Sequence, residues 1–203
     1  GPRVGLERLN FVAFDSETTG TDPRRDKVVS IGAVAMNARQ IRLDRVYENI
    51  VQFDYNTSSV VVHGVTREEA IARGVPEEEA LLGFLEFIGG AVLVGHHVGF
   101  DVAILSRRCE ERFGQALLNP SVDTMALVLN LEEDGALPSP EGKPDFSLDG
   151  LCKRFGVVPR DRHTASGDAF ITAQIFLRLL RHAHRNGRTT LGKISAPPPE
   201  AEA

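Results

Sequence analysis

The segment Phe11 to Gly20 reads FVAFDSETTG, an apolar strand that ends on two carboxylates, Asp15 and Glu17, two residues apart. Strand side chains alternate between faces, so both acids point the same way. Two like charges at the end of a buried strand cost free energy unless a cation sits between them. Whatever fold this chain adopts must bring the other ligands of that cation to the end of this strand.

Around it, strand-like and helix-like segments alternate. Asn10 to Asp15 is the first strand, Val28 to Met36 the second and Ile41 to Phe53 the third. TGTDPRRD supplies turn residues, and the turn near Asn37 to Gln40 is short enough for antiparallel pairing. VPEEEALLGFLEFIGG is a helix with Pro76 near its first position, three glutamates in the positive first turn and a Gly pair to stop it. Ala91 to Gly95 is a fourth strand, Phe100 to Phe113 a helix with Asp101 in its first turn, and Ser121 to Thr124 a fifth strand. Asn130 to Phe146 reads as a mobile loop within the domain, and Ser147 to Phe155 as a helix. A final helix from Ala165 to His184 puts Ala169, Ala173, Phe176 and Leu180 on one face and Gln174, Arg178, Arg181 and Arg185 on the other. A three-strand meander followed by β-α-β, with helices on both faces, predicts a mixed α/β/α sandwich and leaves the strand order open.

Composition narrows the class of function. The 203 residues suit one domain with a sizeable core. No apolar run approaches the ~20 residues that span a bilayer, so no membrane partner is expected. Cys109 and Cys152 form no CxxC pair and suit a reducing cytoplasm. A net charge of −5 without a long basic run argues against an architectural duplex binder. It leaves room for an enzyme that draws in a few nucleotides through metal ions. The Gly-Pro start reads as a protease-cleavage scar on a domain cut from a longer protein, and the Pro-rich APPPEAEA as disordered.

Three further segments carry acids where strands meet helices. GHHVGFD places Asp101 after the fourth strand, SVDT places Asp123 at the end of the fifth, and HTASGD places His163 in a loop five residues before Asp168. In an α/β sandwich, such strand ends and helix starts converge on a crevice. Four hard carboxylates there make an all-oxygen site suited to Mg²⁺ or Mn²⁺. Two such ions about 3.5–4 Å apart clamp the attacking and leaving oxygens of an in-line phosphoryl displacement. A nearby imidazole can take the proton of the attacking water. Singly, each motif has a plainer account: Asp101 suits a helix first turn, His163 a loop surface, and Asp123 either caps the following helix or supports the site. His96 and His97 lack a third ligand at a zinc spacing. It is the ordered set that points to metal-assisted phosphodiester hydrolysis.

In that order, FDSETTG, GHHVGFD and HTASGD resemble the three exonuclease motifs of the DEDDh (DnaQ-like) 3′–5′ exonucleases, a family that includes the epsilon proofreading subunit of bacterial DNA polymerase III. DPRRDKVVSIGAVAM, VVHGVT and FSLDGLCKRFGV resemble the segments between them, so the likeness runs from about Asn10 to Arg185. It implies a ribonuclease H-like fold, a five-stranded mixed sheet with the second strand antiparallel to the first. It also implies that Asp15, Glu17, Asp101 and Asp168 hold two Mg²⁺ or Mn²⁺ ions, with Asp15 bridging both. His163 matches the general base, on a loop that swings over the attacking water. Thr18 and Thr19 match positions that contact the 3′-terminal nucleotide; His97 and Phe100 of the second motif are expected to join them in substrate binding, with Asp123 as a supporting residue. The implied reaction is stepwise hydrolysis from a 3′-OH end to nucleoside 5′-monophosphates, with single-stranded DNA the favoured substrate.

The chain departs from the family at a few positions. His97 stands where the second motif usually has Asn, an exchange that alters how the scissile nucleotide is held or makes activity pH-sensitive, without removing a metal ligand. Ser30 stands where many members carry Glu. Ser166 and Gly167 weaken the start of the last helix, Gly by about 1 kcal/mol against Ala, so the His163 loop is expected to be mobile until substrate orders it. These readings divide the chain into an N-terminal arm (1–8), an exonuclease domain (9–186) and a disordered Pro-rich tail (187–203). The tail shows no apolar anchor for a polymerase or clamp, which favours a standalone exonuclease or one fused to another domain. A polymerase and a homodimer stay open as partners. The rival functions are an RNA-trimming 3′–5′ exoribonuclease and a non-catalytic nucleic-acid-binding module of the same fold.

Overall fold

Strands β1 (Asn10–Thr18), β2 (Val28–Asn37), β3 (Ile41–Ile50), β4 (Val92–Gly95) and β5 (Ser121–Asp123) form one sheet in the order β3-β2-β1-β4-β5. The meander β1-β2-β3 is antiparallel, and β4 and β5 run parallel to β1. The computed structural model describes residues 3–52, 71–140 and 142–198. Phe53, the expected last residue of the third strand, and the family-like VVHGVT lie outside them.

The helices are α1 (Glu77–Ile88), α2 (Gly99–Phe113), α3 (Thr124–Glu133), α4 (Leu148–Phe155), α5 (Ala165–Arg185) and a short α6 (Leu191–Ile194). They cover both faces of the sheet, as the alternating pattern predicts. Phe11 and Ala13 of β1 pack into a core with Leu127, Leu151 and Phe176 from α3, α4 and α5. Val12 and Phe14 pack into a second core with Phe84 and Leu105 from α1 and α2. Fully burying one such side chain is worth about 1.5–3 kcal/mol, and β1 does so on both sides. The same alternation runs on into the acids: Asp15 and Glu17 fall on the α5 side, and Ser16 on the α2 side.

One glycine makes this possible. Gly32 of β2 is the register partner of Asp15, and a Cβ there would run into the backbone of Ala165 and Ser166. Without it, the first turn of α5 lies directly on the sheet beside Asp15.

Two expectations need correction. The loop read from Asn130 onward begins later, because α3 continues to Glu133 with Leu127, Val128 and Leu131 buried. The tail is not disordered from residue 187: Leu191 and Ile194 are buried in the first core, and Leu6 of the N-terminal arm joins them. Leu6 N–H donates to Thr189 at 3.0 Å and Leu191 N–H to Val4 at 3.1 Å. Two apolar residues one turn apart in a polar segment are enough to dock it, and the composition of the segment hid them.

Candidate active site

The acids of β1 meet the start of α5. One carboxylate oxygen each from Asp15, Glu17 and Asp168 lies within 4.8 Å of the other two. Asp168 reaches them from the first turn of α5, which Thr164 caps by accepting from Gly167 N–H. Asp101 approaches from the opposite side, in the first turn of α2. Its Oδ1 accepts from Ser16 N–H at 3.1 Å and from the Ser16 hydroxyl at 2.5 Å. The tripeptide Asp15-Ser16-Glu17 therefore works on both faces: its acids meet Asp168, and the serine between them grips Asp101.

Crowding shows in the proton affinities. Burial, then Asp101, Asp168 and Glu17, hold the Asp15 carboxyl well above the usual carboxylate range, against a weaker pull from Arg162. Burial and Asp168 push Glu17 up to about 7, tempered by His163 and Arg162. Burial pushes Asp101 up to about 6, with the Ser16 hydrogen bonds opposing it. Asp168 Oδ1 is buried without a hydrogen-bond partner. A buried, unpartnered carboxylate oxygen is costly in water-excluded surroundings. Hard oxygen donors that repel one another, one of them uncommitted, are a donor set that fits a divalent cation such as Mg²⁺ or Mn²⁺.

His163 is exposed on the loop that leads into α5, close enough to Glu17 to act on its charge. That loop is tied down more firmly than its sequence suggests. The Thr164 hydroxyl donates to Asp161 C=O at 2.6 Å, and a Cβ on Gly167 would collide with that same carbonyl. Gly167, read as a weak helix start, is what lets the loop lie against the helix. The residue that sequence reasoning missed is Arg162. Its Nη1 donates to Asp168 Oδ2, and its Nε donates to Asp149 Oδ1 at 2.8 Å. A cation immediately before the HTASGD motif was the available signal; its partner Asp149 lies on another helix and gave none.

The second motif is organised by Asp123. Its carboxylate accepts from the backbone N–H groups of His97 (3.3 Å), Val98 (3.0 Å) and Met125 (2.8 Å), so one side chain caps α3 and holds the turn into α2. His97 adopts a left-handed conformation, φ 56°, and is exposed. Asn and His are both enriched there among non-glycine residues, so His suits this backbone conformation as the usual Asn does. Phe100 is half-buried beside it. His96 accepts or donates at Nδ1 to the Thr124 hydroxyl at 2.9 Å, and burial and His97 push it down to about 4, a neutral ring. Thr18 and Thr19 use their hydroxyl protons within the loop after β1, on Gly20 C=O (2.7 Å) and Asp26 Oδ1 (2.9 Å). Arg107 of α2 braces that loop through the carbonyls of Pro23 and Asp26.

Fold and site together define a class: an α/β nuclease domain built around clustered carboxylates. The family model described as Exonuclease (RNase_T) matches residues 12–176, and the chain belongs to this family. It is 39% identical over 195 residues to a DNA polymerase III subunit epsilon-like protein of Rhodobacter capsulatus, across 93% of this chain and 26% of that protein. To the PolC-type DNA polymerase III of Thermotoga petrophila it is 32% identical over 191 residues, across 93% of this chain and 13% of the relative. The chain thus spans only a minor part of these relatives. Among solved structures, exonuclease I of E. coli in complex with a dT13 oligonucleotide superimposes with a TM-score of 0.74 over 89% of this chain and 43% of that one. At 19% identity this is a likeness of fold, the ribonuclease H-like sheet expected from the motifs. No described helix is long and apolar enough to cross a membrane.

Proposed function

We propose that this chain hydrolyses DNA from the 3′ end, single strands preferentially, to nucleoside 5′-monophosphates, with Asp15, Glu17, Asp101 and Asp168 holding two Mg²⁺ or Mn²⁺ ions. The observation that carries this reading is the convergence of Asp15, Glu17 and Asp168 within 4.8 Å, beside a buried, unpartnered Asp168 oxygen. Bound there, divalent ions supply the positive charge that stabilises an in-line displacement at phosphorus.

The chain's own residues do the rest. Asp15 and Glu17, fixed by the pairing of β1 with β2, hold their charges at one point, and Ser16 fixes Asp101 by two hydrogen bonds, near enough to act on Asp15. His163, on the exposed loop, accepts the proton of the attacking water. Thr18, Thr19, His97 and Phe100 position the terminal nucleotide, and Asp123 holds the turn that presents His97. Arg24, Arg25 and Lys27, exposed on the braced loop after β1, meet phosphates further along the strand, in a chain whose overall charge is −5. The exonuclease I–dT13 complex supports a single-stranded DNA substrate, and the polymerase relatives support a polymerase as partner or fusion context. Two buried, unpaired cysteines suit a reducing cytoplasm.

The test is a 3′-labelled single-stranded oligonucleotide incubated with the chain and Mg²⁺ or Mn²⁺. Mononucleotide release that disappears in Asp15→Ala is the expected result. No release in either metal leaves the non-catalytic binding module as the better reading. A matched RNA strand degraded faster than DNA selects the RNA-trimming one.

A further inference from the structure

Arg162 lies between two carboxylates that do different work. Its Nε and Nη2 face Asp149 as a fork, at 2.8 and 3.4 Å, while Nη1 alone reaches Asp168, on Oδ2. Asp149 stands in the first turn of α4, half exposed, outside the three-acid group. The guanidinium plane is therefore set from outside the site, and one edge of it is presented inward. Gripped through Oδ2, Asp168 keeps a single uncommitted oxygen, and that buried Oδ1 is the one left to ligate a cation.

The same contact fixes a loop. Asp161 and His163, on either side of Arg162, are both left-handed, φ 53° and 62°. Non-glycine residues hold that conformation when their surroundings over-determine it. Here the Arg162 clamp on one side and the Thr164 cap on the other supply the constraint. An exposed ion pair adds little stability by itself, so the Asp149–Arg162 pair is better explained by what it orients.

We propose that Asp149 and Arg162 are positioning residues of this site: together they set the ligating orientation of Asp168 and hold the loop that presents His163. This rests on the exonuclease reading above. Partners that orient metal ligands are typically worth 10–100-fold in metal affinity or activity.

The experiment is a calorimetric Mn²⁺ titration of the whole chain, with no nucleic acid present. Arg162→Gln is expected to weaken Mn²⁺ binding about 10–100-fold, and Asp149→Asn to weaken it in the same direction by less. The double variant should be no worse than Arg162→Gln, because the two act as a unit. Arg162→Lys keeps the charge but not the fork and should leave most of the loss in place. With metal saturating, kcat should fall in these variants while KM for the oligonucleotide holds. Unchanged or tighter Mn²⁺ binding in Arg162→Gln overturns the proposal, and tighter binding would make the guanidinium a competitor of the metal. Additive losses in the double variant overturn it as well. If Arg162→Gln does not fold, Asp149→Asn, altered on the exposed side, carries the same test. Metal binding is read here without substrate, so the labelled-strand assay can fail independently of it.

Discussion

Two clusters of charge in this molecule use the same residue types to opposite ends. Between α1 and α2, Glu77 sits among Arg108 and Arg112, and Arg107 and Arg108 reach Glu111. Burial pushes the Glu77 carboxyl up, but the hydrogen bonds from Arg108 and Arg112 overcome it and hold the group below its ordinary range. At the end of β1, burial wins: Asp15, Glu17 and Asp101 are all pushed up, with Arg162 and His163 only tempering the first two. One cluster is balanced within the chain, and the other is left short of positive charge. Backbone strain follows the same division. Among the described residues, the non-glycine positive φ angles belong to His97, Asp161 and His163, all at the acid end, whereas α1, α2 and α4 stop on Gly89, Gly114 and Gly156. Local departures from ordinary stability rules gather where a ligand is to be held.

The largest expected effect concerns the loop of the unbalanced cluster. His163→Ala should lower kcat about 10²–10⁴-fold, the usual size of a general-base contribution, in steady-state assays on the labelled strand. Mn²⁺ affinity by calorimetry should change little. Loss of metal in this variant would move His163 from proton acceptor to ligand and would make the cluster less short of partners than it looks.

Next in size is a pair of neutralisations with opposite signs. Glu77→Gln removes an acceptor of charged hydrogen bonds and leaves Arg108 with Glu111 as its remaining carboxylate partner, so it should destabilise the fold by about 1.5–3 kcal/mol. Asp15→Asn removes a carboxyl whose charge is opposed by burial and by Asp101, Asp168 and Glu17, so it should stabilise the metal-free chain by about 0.5–2 kcal/mol. Denaturant unfolding of both, in chelator, decides the matter. If the two variants move stability the same way, the contrast between the clusters is wrong.

How much of this was readable beforehand depends on where each partner lies in the chain. The meeting of Asp15, Glu17 and Asp168 was legible because each marks a strand end or a helix first turn, and such positions share one edge of an α/β sheet; Asp101 lies outside that group, on Ser16. The apolar run of β1 likewise declared a strand buried on both faces. Ser16 was not legible as the anchor of Asp101, since its role depends on α2 packing against the even-numbered face of β1. Asp123 showed its helix cap but not the second turn it holds, which comes from a different strand. The Asp149–Arg162 pair required α4 and the loop before α5 to meet, a tertiary fact without a local pattern. Gly32 read as an ordinary strand residue until the backbone of α5 was seen lying on it.

The smallest effect separates the clusters by pH. An unfolded carboxylate titrates near about 4, whereas in the folded, metal-free chain Glu17 stays protonated up to about 7 and Asp101 up to about 6. Between those limits the folded state binds more protons than the unfolded state, so stability falls as pH rises through that window. Asp15 acts in the same direction. Glu77 acts in the opposite direction and at lower pH: its folded-state value is depressed, so its contribution is present above the unfolded value and lost as pH falls below it. In chelator, the acid end should therefore pull Tm downward from about pH 5 to about pH 7, and Asp15→Asn should reduce that slope while Glu77→Gln leaves it. Metal binding requires the ligands ionised and so releases protons. With Mn²⁺ present the slope should flatten or reverse, and titrations in buffers of different ionisation enthalpy should register proton release near neutral pH. A metal-free slope that is the same in wild type and Asp15→Asn would mean that the acids at the end of β1 do not share one electrostatic site, and the reading of them as a single cation-holding group would fall with it.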